Sequence, residues 1–131
     1  MEEILARYRI TENHTDEYYN EEITGVNRLF GLRDLCKFYG VGKNWRVLEI
    51  GSYAGASAEL MAQYAGLIIC CDVWEVFIKP ESRAQVVYSD FLKTKKRNPN
   101  ILERKIDSNI LAKEYGFNTC LLYTSPSPRD S

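Results

Sequence analysis

An α/β fold of three αβα layers, the N-terminal half of a doubly wound and mostly parallel sheet, is predicted by three features of the sequence. Short runs of strand formers alternate with longer segments whose apolar residues recur at helical spacing. The run Leu67 to Cys71 is apolar without alternation, as expected of a parallel strand covered on both faces. Glycines and acids gather where the runs end, above all in "VLEIGSYAGAS", Val47 to Ser57. Strands joined through helices at these lengths run parallel and connect by right-handed crossovers.

The elements follow in order. Residues 1–21 are polar and read as a lead-in with one short helix; Tyr8, Tyr18 and Tyr19 are their aromatics. Glu22 to Tyr39 carries Ile23, Val26, Leu29, Phe30, Leu32, Leu35, Cys36 and Phe38 at helical spacing, and Gly40 and Gly42 end that helix. Arg46 to Ile50 is a strand. Gly55 to Tyr64 is a helix, with Gly66 just beyond it. Leu67 to Cys71 is the second strand, closed by Asp72. Glu75 to Glu81 is a loop holding Pro80, and Ser82 to Lys95 is a helix capped by Ser82. "KTKKRNPN", Lys93 to Asn100, is a basic exit and turn. Ile101 to Ile106 is a third strand, less apolar and nearer an edge. Ser108 to Tyr115 is a last helix, ended by Gly116.

Composition bounds the class. The 131 residues suffice for one domain with a core. A net charge of −1 gives no bulk field toward nucleic acid or an anionic membrane. No apolar run is long enough to span a bilayer, and the acidic start lacks the order of a signal peptide, which points to the cytoplasm. Cys36, Cys70, Cys71 and Cys120 form neither a CxxC pair nor a zinc spacing and read as small buried hydrophobes in a reducing compartment. Cys70 and Cys71 are adjacent in one strand, so their side chains point to opposite faces. His14, in the polar lead-in, reads as solvated. The basic run Lys93 to Arg97 reads as the last turn of a helix, where cations suit the dipole.

Ligands of open parallel sheets sit beyond the carboxyl ends of the strands, which singles out the turn after Ile50, the residue after Cys71 and those after Ile106. A dinucleotide pattern from Gly51 would need glycines where Tyr53 and Ala56 stand, and Glu49 opposes a pyrophosphate. A triphosphate loop is excluded because no Gly-Lys-Ser/Thr occurs. The pattern that fits is E-x-G-x-x-x-G-x-S: Glu49, Gly51, Gly55 and Ser57. It suits a nucleoside without phosphate that bears a cation. Glu49 would attract an ammonium or sulfonium, Gly51 would admit the ligand to the backbone, and the amides opening the next helix would take a carboxylate. Asp72, seventeen residues after Gly55, would accept hydrogen bonds from the two hydroxyls of a ribose.

"VLEIGSYAGAS" followed by "IICCDVW" resembles the first two cofactor motifs of class I S-adenosylmethionine-dependent methyltransferases. The nearest branch contains macrocin O-methyltransferase-like enzymes and proteins described as cephalosporin hydroxylases. The matching residues are Glu49 to Ser52, Gly55 with Ser57, and Asp72 with Trp74; the resemblance spans about residues 22–118. It implies a Rossmann-like domain with S-adenosylmethionine as cofactor. Gly51, Ser52, Tyr53, Gly55 and Ser57 would line its methionine end. Asp72 would bind the ribose, Val73 beside it would be a further cofactor-binding residue, and Trp74 would pack against the adenine or close the pocket edge. Asp107 would meet the adenine amino group, with Ser108 beside it. Asp107 equally suits the cap of the helix that follows, and Trp74 equally suits the core. The acceptor implied is a hydroxyl of a small molecule or sugar, with no nucleic acid or membrane partner, and the sequence carries no signal for an oligomeric state. The family's next strand ends in an acidic, His-containing motif like I-D-G-D-H, which supplies catalytic or metal-binding groups. That motif is absent here, so the catalytic groups, and any divalent metal, are expected in a longer parent. A nucleotide-binding module without transfer activity and an NAD-binding domain are the alternatives.

The last twelve residues, "CLLYTSPSPRDS", differ in character from what precedes them. Their first eleven, Cys120 to Asp130, resemble an in-frame translation of the transposon adapter used in sequencing libraries. The expected division is a lead-in at 1–21, a partial cofactor-binding domain at 22–119 and a non-native tail at 120–131. A sheet of this kind pairs its first strand with its fourth, so "TCLLY", Thr119 to Tyr123, is expected to cover the exposed edge of the first strand.

Overall fold

The computed structural model of the chain describes residues 1–10, 25–74, 81–114 and 121–124. His14, the start of the second helix at Glu22, the loop at 75–80, Tyr115 to Cys120 and the end of the tail lie outside the described residues. The elements are α1 (Glu2–Arg7), α2 (Gly25–Phe38), β1 (Arg46–Ile50), α3 (Ala56–Ala62), β2 (Leu67–Cys71), α4 (Glu81–Arg97), β3 (Ile101–Arg104), α5 (Ser108–Glu114) and β4 (Leu121–Thr124).

The four strands form one sheet in the order β3-β2-β1-β4, and every pair is parallel. This is the first half of a doubly wound order. The strand order reverses between β1 and β4, which puts the turn after Ile50 beside the switch point where such sheets bind ligands. Leu48 stands opposite Ile69 and Leu122, and Glu49 opposite Cys70 and Tyr123. The expected docking of the apolar tail segment on the edge of β1 is thus observed, with β4 set one residue later than "TCLLY" at its end.

Period-two alternation divides the core between the two faces of the sheet. Val47, Ile68, Cys70 and Ile101 pack with Leu29, Leu32 and Cys36 of α2, Leu60 and Met61 of α3, and Val87 and Phe91 of α4. Leu48, Ile69 and Cys71 face the other way, against Leu111 of α5. Three αβα layers result, and Cys70 and Cys71 lie on opposite faces.

The lead-in carries its expected short helix, α1, and joins the main core through Ile4, with Leu5, Tyr8 and Ile10 packed against that core. Two sequence expectations are corrected. Helix α4 begins at Glu81, so Ser82 is a helical residue rather than its cap, and it runs on to Arg97. Its last turn carries Lys95, Lys96 and Arg97, the polarity expected of a basic C-terminus. Strand β3 stops at Arg104, where the Ile106 amide turns back onto the Arg104 carbonyl at 3.0 Å.

Helix α2 ends in a Schellman motif. The Val41 amide donates to Cys36 O at 2.9 Å, the Gly40 amide donates to Lys37 O at 3.2 Å, and Gly40 takes the left-handed φ of 63° that this cap requires. The apolar stripe of α2 is narrower than its sequence suggests, because Phe38, in the last turn, is 82 % exposed and rests only edge-on against Tyr39.

Candidate functional site

Beyond Ile50 the chain enters a turn with three left-handed residues, Gly51 (φ 83°), Tyr53 (φ 51°) and Gly55 (φ 97°). At Gly55 the requirement is double. Besides its φ, an added Cβ would stand 2.9 Å from Thr94 Cγ2 and 3.2 Å from Phe91 Cδ2, so α4 leaves no room for a side chain. Tyr53 pays the steric cost of a left-handed residue with a side chain, and its surroundings hold it there.

The holder is Asp72. Its Oδ2 accepts the Tyr53 amide at 3.0 Å and its Oδ1 accepts the Trp74 amide at 2.9 Å. Trp74 is itself left-handed (φ 51°), so one buried carboxylate fixes two strained residues on neighbouring strand ends. The Trp74 indole N–H closes the arrangement by donating to Tyr53 O at 2.8 Å. The Trp74 ring is 1 % exposed and packs 4.6 Å from Phe91 and 5.3 Å from Tyr88. It therefore packs in the core, the alternative that the sequence left open for Trp74. Val73 between them is half-buried.

Glu49 occupies the end of β1 on the same face as α3 and is wholly buried. Its Oε2 accepts the Ser57 hydroxyl at 2.5 Å. Its Oε1, and the hydroxyl of buried Ser52, have no hydrogen-bond partner among the described residues. Burial raises the Glu49 pKa to about 7, against the lowering influence of the Ser57 and Ser52 hydroxyls and with help from the nearby charge of Asp72. The same burial, with the charge of Glu49, pushes the Cys70 thiol well above its usual range.

The structure thus brings Glu49, Ser52 and Ser57 together, and joins Tyr53, Asp72 and Trp74 through one carboxylate. Asp107 stands apart from both groups in its contacts. Its exposed carboxylate accepts the Asn109 amide at 2.8 Å and its carbonyl accepts the Ile110 and Leu111 amides, the geometry of a cap on α5, which Ser108 opens.

Sequence reasoning missed a second polar cluster behind the turn. Glu59 of α3 pairs with Arg7 of α1 at 2.7 Å and with Arg97 of α4 at 3.3 Å. Tyr8 and Thr94 share a short hydrogen bond, and Thr94 Oγ1 donates to Ala54 O at 2.9 Å. A signal for Thr94 was present: Ala84, Val87, Phe91 and Thr94 recur at helical spacing, and all four are buried. Lys95, from the same basic run, pairs with Glu103 at 3.5 Å. Among the described residues no three His, Cys, Asp or Glu side chains gather as a metal site, and no helix is long and apolar enough to cross a membrane.

No family model and no curated protein matches the chain. Solved structures do. A putative RNA methyltransferase from Pyrococcus horikoshii superimposes with a TM-score of 0.57 at 16% identity, over 96% of this chain and 57% of that one. A putative O-methyltransferase from Klebsiella pneumoniae gives a TM-score of 0.50 at 16% identity, over 88% of this chain and 46% of that one. The chain spans about half the length of these structures, and over that span it has the Rossmann-like fold of solved methyltransferases.

Proposed function

We propose that the chain is the cofactor-holding part of an S-adenosylmethionine-dependent methyltransferase. The observation that carries the reading is the pair of buried, unpartnered polar atoms, Glu49 Oε1 and Ser52 Oγ, at the switch point of the sheet. Buried polar groups without partners are rare and costly, and a ligand that satisfies them removes the cost. A carboxylate whose pKa is raised to about 7 gains most from a cation, and an ammonium supplies both charge and donors.

The residues present fit this cofactor. Glu49 and Ser52 would hold its amino-acid end beside Gly51. Asp72 would accept hydrogen bonds from the ribose hydroxyls. When bound, the cofactor supplies a methyl group on a sulfonium, open to in-line attack. The acceptor is a hydroxyl of a small molecule or sugar, its base or metal provided by a longer parent protein in the cytoplasm. An NAD site is disfavoured by Tyr53 at the position of the second fingerprint glycine and by the Glu49 carboxyl at the strand end.

Calorimetric titration of the chain with S-adenosylhomocysteine and, separately, with NAD tests the reading. Binding of S-adenosylhomocysteine and none of NAD is expected. Binding of NAD alone would overturn it.

A further inference from the structure

We propose that Thr94 and Tyr8 are positioning residues for the turn Gly51 to Gly55, so that helix α1 is a working part of the site. The inference rests on the cofactor reading for its ligand but on geometry for its mechanism.

Thr94 has one hydroxyl proton and two carbonyls within reach, Ala54 O at 2.9 Å and Asp90 O at 3.1 Å. Asp90 lies four residues back in α4, so its carbonyl already receives an amide of the helical ladder. Ala54 O is the nearer of the two acceptors and lies between Tyr53 and Gly55 outside any regular element, so the Thr94 proton reaches the turn there. With that proton on Ala54 O, Thr94 Oγ1 can accept from Arg97 Nη2 at 3.3 Å and from the Tyr8 hydroxyl, for whose single proton Glu59 competes. Arg97 Nη2 also donates to the Tyr8 oxygen at 3.1 Å. Burial, helped by Glu59 and against the Thr94 and Arg97 hydrogen bonds, raises the Tyr8 pKa to about 12, so the phenol stays protonated. A connected network results, joining Arg97, Tyr8, Glu59 and Thr94 to the backbone of the turn.

The other end of this network is anchored. Glu59 holds both Arg97 and Arg7, so α1, α3 and α4 meet on one carboxylate. Thr94 also acts sterically, since its methyl group lies against the space a Gly55 side chain would need. The turn is consequently gripped from two sides. Asp72 and Trp74 hold Tyr53 from the end of β2, and Thr94 holds Ala54 and Gly55 from α4. Three left-handed residues in five persist only where the surroundings over-determine them. Release from the α4 side lets the turn relax, and Ser52 beside Glu49 moves with it.

The experiment compares the chain with Thr94→Val, Thr94→Ser and Tyr8→Phe. Valine keeps the shape and deletes the hydroxyl; serine keeps the hydroxyl and deletes the methyl. Two quantities are read: affinity for S-adenosylhomocysteine, and hydrogen exchange of the Tyr53 and Gly55 amides relative to the Ile69 and Cys70 amides of the central strand β2. Loss of one buried hydrogen bond predicts that Thr94→Val weakens binding and speeds exchange in the turn by about 10-fold each, with β2 little changed. Thr94→Ser should stay within about 3-fold of the unmodified chain, and Tyr8→Phe should fall between. Unchanged exchange in the turn for both Thr94→Val and Tyr8→Phe overturns the proposal. So does exchange that quickens equally in the turn and in β2, which marks a structural role only. Should Thr94→Val fail to fold, Tyr8→Phe decides alone. If the unmodified chain does not bind S-adenosylhomocysteine, the cofactor reading fails, and the exchange measurements still decide whether Thr94 holds the turn.

Discussion

Glu49 and Glu59 are both buried glutamates, 0 % and 5 % exposed, and the protein treats them in opposite ways. Glu59 is met by two guanidiniums. Burial would raise its pKa, but hydrogen bonds from Tyr8, Arg97, Asn98 and Arg7 outweigh that and hold it below the ordinary value. Glu49 is met by the hydroxyls of Ser57 and Ser52 and by no cation among the described residues, and rises to about 7. A buried carboxylate ringed by cations fastens helices together. A buried carboxylate given no cation is a destabilising group, retained where a ligand can use it.

The largest test is Glu49→Gln. A pKa raised on folding means that the carboxyl favours the folded state below its unfolded value of 4.5, and that this contribution is lost as pH rises through about 7. The interval corresponds to at most about 3 kcal/mol. Glu49→Gln should therefore raise the urea midpoint at pH 8 and leave it nearly unchanged at pH 4.5, while abolishing binding of S-adenosylhomocysteine. In the unmodified chain, affinity for that ligand should fall up to about 100-fold from pH 8 to pH 5, because pairing with its ammonium needs the carboxylate charged. A variant destabilised at pH 8 would mean that Glu49 is as well paired as Glu59.

Glu59→Gln should act in the opposite direction. It leaves Arg7 and Arg97 facing a neutral amide. Their side chains are 34% and 35% exposed, so solvent moderates the loss to about 2 kcal/mol at pH 7. The Glu59 pKa is depressed, so its contribution is present above the unfolded carboxylate pKa and disappears as pH falls through the folded one. Urea denaturation of both proteins at pH 7 and pH 3 checks the sign: the two curves should converge in acid. Convergence at neutral pH instead would remove the contrast with Glu49.

The contrast was half legible in the sequence. β1 and β2 match their expected bounds because the apolar run of β2 lies between Gly66 and Asp72, and the strand formers of β1 stop at Gly51. Glu49, Gly51, Gly55, Ser57 and Asp72 were readable as a group because their spacing survives without coordinates. Glu59 was not. A single charge inside the apolar helix Ala56 to Ala62 looks like a solvated position, and its partners lie 52 and 38 residues away on elements whose packing the sequence does not state. Phe38 failed in the opposite sense: its helical spacing suggested the core, but it stands in the last turn of α2, just before the Gly40 cap turns the chain, and faces solvent. The pairing of Tyr53 with Trp74 was hidden for a third reason. Left-handed backbone at bulky residues has no composition signal, since propensity alone argues against it.

Asp72 is the third buried carboxylate near the turn, and it separates the two uses that Glu49 and Glu59 keep apart. Each of its oxygens accepts a backbone amide, so in this it resembles Glu59 as a fastener. Asparagine has one carbonyl oxygen, and its NH2 would point at an N–H. Asp72→Asn therefore strands the amide of either Tyr53 or Trp74, both left-handed, and should cost about 1.5 kcal/mol in urea denaturation at pH 7. Loss of the Trp74 anchor should also loosen its contact with Phe91 and shift indole emission to longer wavelength, a readout that a ligand-only role would not move. If Asp72→Asn instead keeps the stability and emission of the unmodified chain while losing S-adenosylhomocysteine, Asp72 belongs with Glu49, and the strain at Tyr53 and Trp74 is held by the indole–carbonyl hydrogen bond alone.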